Sequence, residues 1–286
     1  MKNQAKLCMT TTAMQALHDM ANGLGPYGGL KNDPRAFEWV TSTFPFIMKP
    51  EVFMLPEGGE ITGTVVGSKT YIQDAFAEFG TKLPYPSISI EYTSEGFDVG
   101  EGQFASPQRV VFAWNIEERV SDLSGWPADV VCIMPMWKDE LGSWLPPLAL
   151  FAVFGADIRI IHRLQNGHSD ELLSKDCAQE LAAVAELISA LSCVNVSTMT
   201  IDPPKELNKK RDARGKLPFL SYKVLEIKAS RHHSENEPQG GTHASPRVHL
   251  RRGHIRRLES GNVWVNACVV GNKALGMVTK DYRVSP

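Results

Sequence analysis

The 286-residue chain is 43% hydrophobic and 22% charged, the balance of a globular protein, and its length can bury one large core or two of ordinary size. The net charge of -2 conceals a division: residues 205–286 hold 17 Lys/Arg against 7 Asp/Glu, a formal +10, which leaves 13 of the 30 basic and 25 of the 32 acidic side chains, a formal -12, in residues 1–204. The start of the chain shows no signal pattern. The most apolar stretch, 144–154, is interrupted by Pro146 and Pro147 and is too short to span a bilayer. Cys8, Cys132, Cys177, Cys193 and Cys268 are scattered, odd in number and without a CxxC pair, which disfavours a disulfide framework and a cysteine-rich zinc site. A cytoplasmic protein with reduced, buried cysteines and no membrane partner is expected.

In chain order, a helix is expected over 12–22, where Leu17, Met20 and Leu24 share a side and glycines close it. Asp33-Pro34 offers a cap for a second helix through Val40. Between them Gly23-Leu-Gly-Pro-Tyr-Gly28 matches GxGxxG in letters only, because it follows a helical pattern and Pro26 removes an amide that a pyrophosphate would need. From 52 to 161 the pattern is of strands, at 87–92, 109–116, 130–136, 148–154 and 158–162, rich in β-branched and aromatic residues and separated by turns. The acids Glu91, Glu95, Asp98 and Glu101 are read as a solvated loop. A helix capped by Ser169 runs to Leu191, with Leu173, Cys177, Leu181, Val184, Ile188 and Leu191 forming its core stripe. Asn195-Val-Ser197 has the letters of a glycosylation sequon but no secretory context.

Pro203-Pro204 punctuates the chain, and 205–216 reads as a basic connector or phosphate-facing loop that includes Lys209, Lys210 and Arg211. A strand at 222–228 precedes a candidate mobile loop at 230–245, and strands at 247–258, 263–270 and 276–284 complete the chain. The fold expected is α+β: a largely antiparallel sheet with packed helices, and a basic C-terminal antiparallel unit of about four strands. The expected division is an acidic region 1–204 and a basic β region 205–286.

The centre of the basic region is Arg247-Val-His-Leu-Arg-Arg-Gly-His-Ile-Arg-Arg257, five arginines and two histidines in eleven positions. Alternation puts Arg247, His249 and Arg251 on one face of a strand. A bulge at Arg252-Gly253 would then bring His254 and Arg256 onto the same face. Arg247, Arg251, Arg252, Arg256 and Arg257, with Lys209, Lys210 and Arg211, are the candidate phosphate-binding groups. On such a face His249 and His254 would suit base and acid in RNA cleavage without metal or cofactor, with Lys280 and Tyr282 as further phosphate or proton-transfer groups. Plain binding is the preferred reading, since a basic face needs no chemistry to hold phosphate. Zinc is disfavoured, because His232, His233, His243, His249 and His254 lack ligand spacing and neighbouring arginines repel a cation.

Leu191-Ser-Cys-Val-Asn-Val196, Pro203-Pro-Lys-Glu-Leu-Asn-Lys-Lys-Arg211, Gly215-Lys-Leu-Pro218 and Tyr222-Lys-Val-Leu225 stand in order along the chain. Arg247-Val-His-Leu-Arg-Arg-Gly-His-Ile-Arg256, Val263-Trp-Val265 and Lys280-Asp-Tyr282 follow them. Together these motifs resemble a group of bacteriophage and prophage proteins of unassigned function. The resemblance implies a bacterial host cytoplasm and a host- or defence-directed role, but no reaction. The order of elements also resembles small RelE-like and barnase-like ribonucleases, at the level of layout alone. Three functions are consistent with this sequence: binding of RNA or another nucleic acid, with or without metal-independent cleavage; noncatalytic inhibition of a host defence protein; and sequestration of a phosphorylated nucleotide.

Overall fold

The structure, a computed structural model, describes residues 8–32, 41, 43, 46–59, 61, 82–94, 97–100, 103–105, 107–145, 149–154, 158–164, 177–227, 247–251, 254–265, 268–270 and 272–277. The fold is α+β, as its alternation of apolar strands and amphipathic helices predicts. Eight strands form one mixed sheet: β1 (Glu51–Met54), β2 (Ser87–Thr93), β5 (Gln108–Asn115), β6 (Val130–Trp137), β7 (Ala149–Phe154), β8 (Ile158–Leu164), β9 (Val196–Ile201) and β10 (Tyr222–Ile227). Their spatial order is β8-β7-β6-β5-β2-β1-β10-β9. Short β3 (Phe97–Gly100) and β4 (Gln103–Ala105) form a separate antiparallel pair. Only β1 is parallel to its neighbours, β2 and β10; every other join in the large sheet is antiparallel.

Both faces of the sheet are covered, which is why its central strands read as nearly unbroken apolar runs. On one face Ile88, Ile90, Val111, Ala113, Ile133, Leu150 and Phe154 pack under α3 (Ala178–Leu191) through Leu181, Val184 and Leu187. Alternate residues, among them Val110, Phe112, Trp114, Cys132 and Met134, pack under α1 (Thr10–Asn22) through Met14, Leu17 and Met20. The period of two along the strands therefore divides one sequence between two cores. A short helix, α2 (Glu118–Ser124), links β5 to β6. No helix among the described residues is long and apolar enough to cross a membrane. The four described cysteines, Cys8, Cys132, Cys177 and Cys193, are buried and free.

One expectation is corrected: within 205–216, expected as a connector or phosphate-facing loop, residues Lys205–Asp212 form a helix, α4. Strand β9, which was not anticipated, ends the strand order of the large sheet, and β10, which follows residue 205, lies between β1 and β9. The helix at 34–40, the Ser169 cap and the loop at 230–245 lie outside the described residues.

Candidate nucleic-acid interface

The expected strand 247–258 is seen as β11 (Arg247–Arg251) and β12 (His254–Leu258), and its partner as β13 (Gly261–Val265) and β14 (Cys268–Val270). β11 pairs antiparallel with β14, matching His249 to Val270 and Arg251 to Cys268. β12 pairs antiparallel with β13, matching His254 to Val265 and Leu258 to Gly261. The two ladders keep one register: two positions, 252–253, separate β11 from β12, and two, 266–267, separate β13 from β14. β12 and β13 form a hairpin turned at Glu259 and Ser260. β15 (Asn272–Met277) lies on the other side of β11, parallel to it and in irregular register, so the C-terminal unit is not purely antiparallel.

The expected bulge at Arg252-Gly253 lies outside the described residues. Within β11, Arg247, His249 and Arg251 occupy alternate positions, as His254 and Arg256 do within β12. Arg256 is exposed. Arg252 and Gly253 lie outside the described residues, as do Lys280 and Tyr282.

The hairpin is joined to the large sheet near its turn. Trp264 is buried with Ala190 and Cys193, and Val196, Leu225 and Ile227 pack against that cluster. The Asn195 side chain accepts from the Trp264 N–H at 2.7 Å and donates to the Trp264 carbonyl at 2.8 Å, occupying both main-chain groups as a neighbouring strand would. The Val194 N–H donates to the Asn262 carbonyl at 2.9 Å. Gly261 allows this closeness: its φ is +121°, and a Cβ there would stand 3.0 Å from Val194 Cγ1. The amide of the apparent sequon is thus occupied by structural bonds.

The other basic candidates lie on α4, which buries no side chain. Lys209 and Lys210 are exposed in its last turn, where positive charge complements the helix dipole. Arg211 has a different task. Its guanidinium lies 4.2 Å from the Phe219 ring centroid, and its Nε donates to the Leu217 carbonyl at 2.6 Å. Asn208 completes the brace by exchanging hydrogen bonds of 2.9 and 2.8 Å with the Phe219 main chain. The following segment is fixed to α1 by the Leu220 N–H on Thr11 Oγ1 and the Leu217 N–H on Gln15 Oε1.

Two buried polar groups were not singled out as structural from the sequence. Glu91, expected in a solvated loop, is fully buried on β2. Its carboxylate accepts from the N–H groups of Met9 and Thr10 and from the Cys8 thiol, at 2.9, 2.7 and 2.8 Å. It caps α1, whose own N-cap residue makes no side-chain bond. On the opposite face, Arg109 of β5 and Glu180 of α3 form an ion pair at 3.5 Å, both fully buried, beside Tyr92. Burial, followed by the charge of Glu180, raises the Tyr92 hydroxyl far above its ordinary range and keeps it neutral. Both groups follow from the strand register, but an acid or a base at an inward position has no signal in composition. Among the described residues, no three His, Cys, Asp or Glu side chains are grouped to hold a metal ion. Comparison of the chain with protein-family models, curated proteins and solved structures found no match.

Proposed function

We propose that the protein is phage-associated and binds nucleic acid in the bacterial host cytoplasm, with RNA the first candidate, gripping the phosphate backbone with its C-terminal hairpin. The observation that supports this reading is that the arginine-rich stretch is laid out as paired strands, β11 with β14 and β12 with β13, with β13 anchored at Trp264. A flexible polyanion can be met from either side of such a ribbon, and each neutralised phosphate releases counterions. Binding without cleavage is the preferred reading, because a basic ribbon needs no base and acid to hold phosphate.

The test is replacement of Arg247, Arg251 and Arg256 by alanine, with affinity for RNA measured against salt concentration. Affinity should fall and its logarithmic salt slope should become shallower by about 2 if three single-strand phosphate contacts are lost. A folded triple variant with unchanged affinity and slope excludes this surface.

A further inference from the structure

Helix α4 presents a problem of its own. A helix is ordinarily retained by the apolar stripe it buries, yet α4 buries no side chain and is held by the Asn208 and Arg211 braces to the segment behind it. The outward product of that scaffolding is charge. Lys205, Lys209, Lys210, Arg214 and Lys216 are all exposed, and Glu206 and Asp212 are the acids among residues 205–216.

The position of this platform relative to the ribbon gives it a partner. β9 has the hairpin joint immediately before it, at Val194 and Asn195, and α4 begins four residues after its end. Six residues of strand separate the two by about 20 Å, or roughly six nucleotides at the 3.4 Å spacing of stacked bases. Among the described residues β9 pairs only with β10, and its sequence, Val-Ser-Thr-Met-Thr-Ile, contains no acid to repel phosphate. Met199 and Thr200 are exposed. The two basic elements also lie on different faces of the sheet. Trp264 packs with Ala190 and Cys193 on the α3 side, whereas Leu217 and Leu220 behind α4 pack with the core under α1.

We infer that α4 and the C-terminal ribbon bind the same single-stranded nucleic acid, which passes along and around the β9 edge from one to the other. The requirement for a single strand is geometric. A duplex, with a persistence length of about 500 Å, cannot turn from one face of a sheet to the other within about 20 Å. A single strand can, crossing β9, whose own side chains are uncharged, past the exposed acids Asp202 at its end and Glu226 on β10. The inference rests on the reading of the ribbon as a phosphate-binding element and adds the second contact, the class of strand and its minimum length.

The test uses the full chain, its Lys209→Gln/Lys210→Gln variant, and labelled oligouridylates of about 6 and about 24 nucleotides, with a duplex RNA of about 24 base pairs, lengths set by the spacing above. The longer single strand should bind the parent chain at least about 10-fold more tightly than the short one. The double variant should lose most of that advantage, with a salt slope shallower by about 1.4 for two lost contacts, and leave the short strand unaffected. Loss of the helix-end charge and of the exposed Lys209–Glu206 pair at 3.0 Å should lower the unfolding midpoint only slightly and leave the chain folded. If the parent binds both lengths alike, if the double variant holds the longer strand as well as the parent does, or if duplex binds as tightly as single strand, the shared track is overturned while the ribbon reading stands. If no RNA binds at all, both fall.

Discussion

The side chains that matter most to the core are polar. Glu91 serves two main-chain amides at the start of α1, and its replacement by glutamine sets an amide donor where only an acceptor is useful. Glu91→Gln should destabilise the protein by about 1–3 kcal/mol, read as a lower denaturant midpoint with unchanged slope. Arg109 and Glu180 behave as a unit. Arg109→Met alone leaves a carboxylate buried beside Tyr92 and should cost about 3–5 kcal/mol, and Arg109→Met with Glu180→Leu should cost less than that single change. Additive losses in the double variant would show that the pair is not coupled. The thiols give a pH dependence. Burial, then the neighbouring Glu91 carboxylate, pushes Cys8 from 9.0 up to about 12, and burial pushes Cys193 up to about 11. The folded chain therefore retains protons that the unfolded chain releases above pH 9. Their stabilisation is complete below that value and is lost as pH rises toward 12. Tyrosine and lysine titrate nearby, so the comparison is with Cys8→Ala, whose stability should decline less steeply between about pH 8 and about pH 11; parallel declines would remove Cys8 as a cause.

At the scale of elements, legibility follows burial. Helix α1 and strands β2, β5, β6 and β7 were readable because each submits its apolar residues to a core at period 3.6 or 2. Strand β9 lies at an edge, with every residue at least partly exposed, and its Val-Ser-Thr-Met-Thr-Ile shows no alternation to detect. Helix α4 buries nothing, and the bonds that hold it come from Phe219 and Leu217, beyond its own segment. The basic stretch was legible as strand, and β11 and β12 form within it. The joint between hairpin and sheet rests on few groups, which makes it separable by experiment. Asn195→Ala removes both bonds to Trp264, so amide exchange should quicken across β12 and β13 while β6 keeps its protection. Equal acceleration everywhere would mean that the joint opens only with global unfolding.

At the scale of the whole molecule, charge and architecture divide the chain at different places. Charge changes sign near residue 205, whereas the large sheet takes its last strand from Tyr222–Ile227. The sequence signal was real but electrostatic, and surface charge carries no information about which strand completes a sheet. The two boundaries predict different truncations. A chain ending at residue 204 lacks β10, which separates β1 from β9, and with it Tyr222 and the Val224 that packs beside it. That chain would expose the edge of the short, buried β1 and leave β9 without its described neighbour, so it should aggregate or unfold. A chain ending at residue 227 keeps all eight strands, both helical layers and the α4 brace, and loses the cover that Trp264 gives to Ala190 and Cys193. It should unfold cooperatively at a lower midpoint, by about 3–5 kcal/mol for the vacated Trp264 site, and should bind long single strands weakly through α4 alone. Circular dichroism and denaturant unfolding of the two truncated chains decide between the boundaries. A folded 1–204 chain, or an unfolded 1–227 chain, would place the structural division where the charge changes and not where the sheet ends.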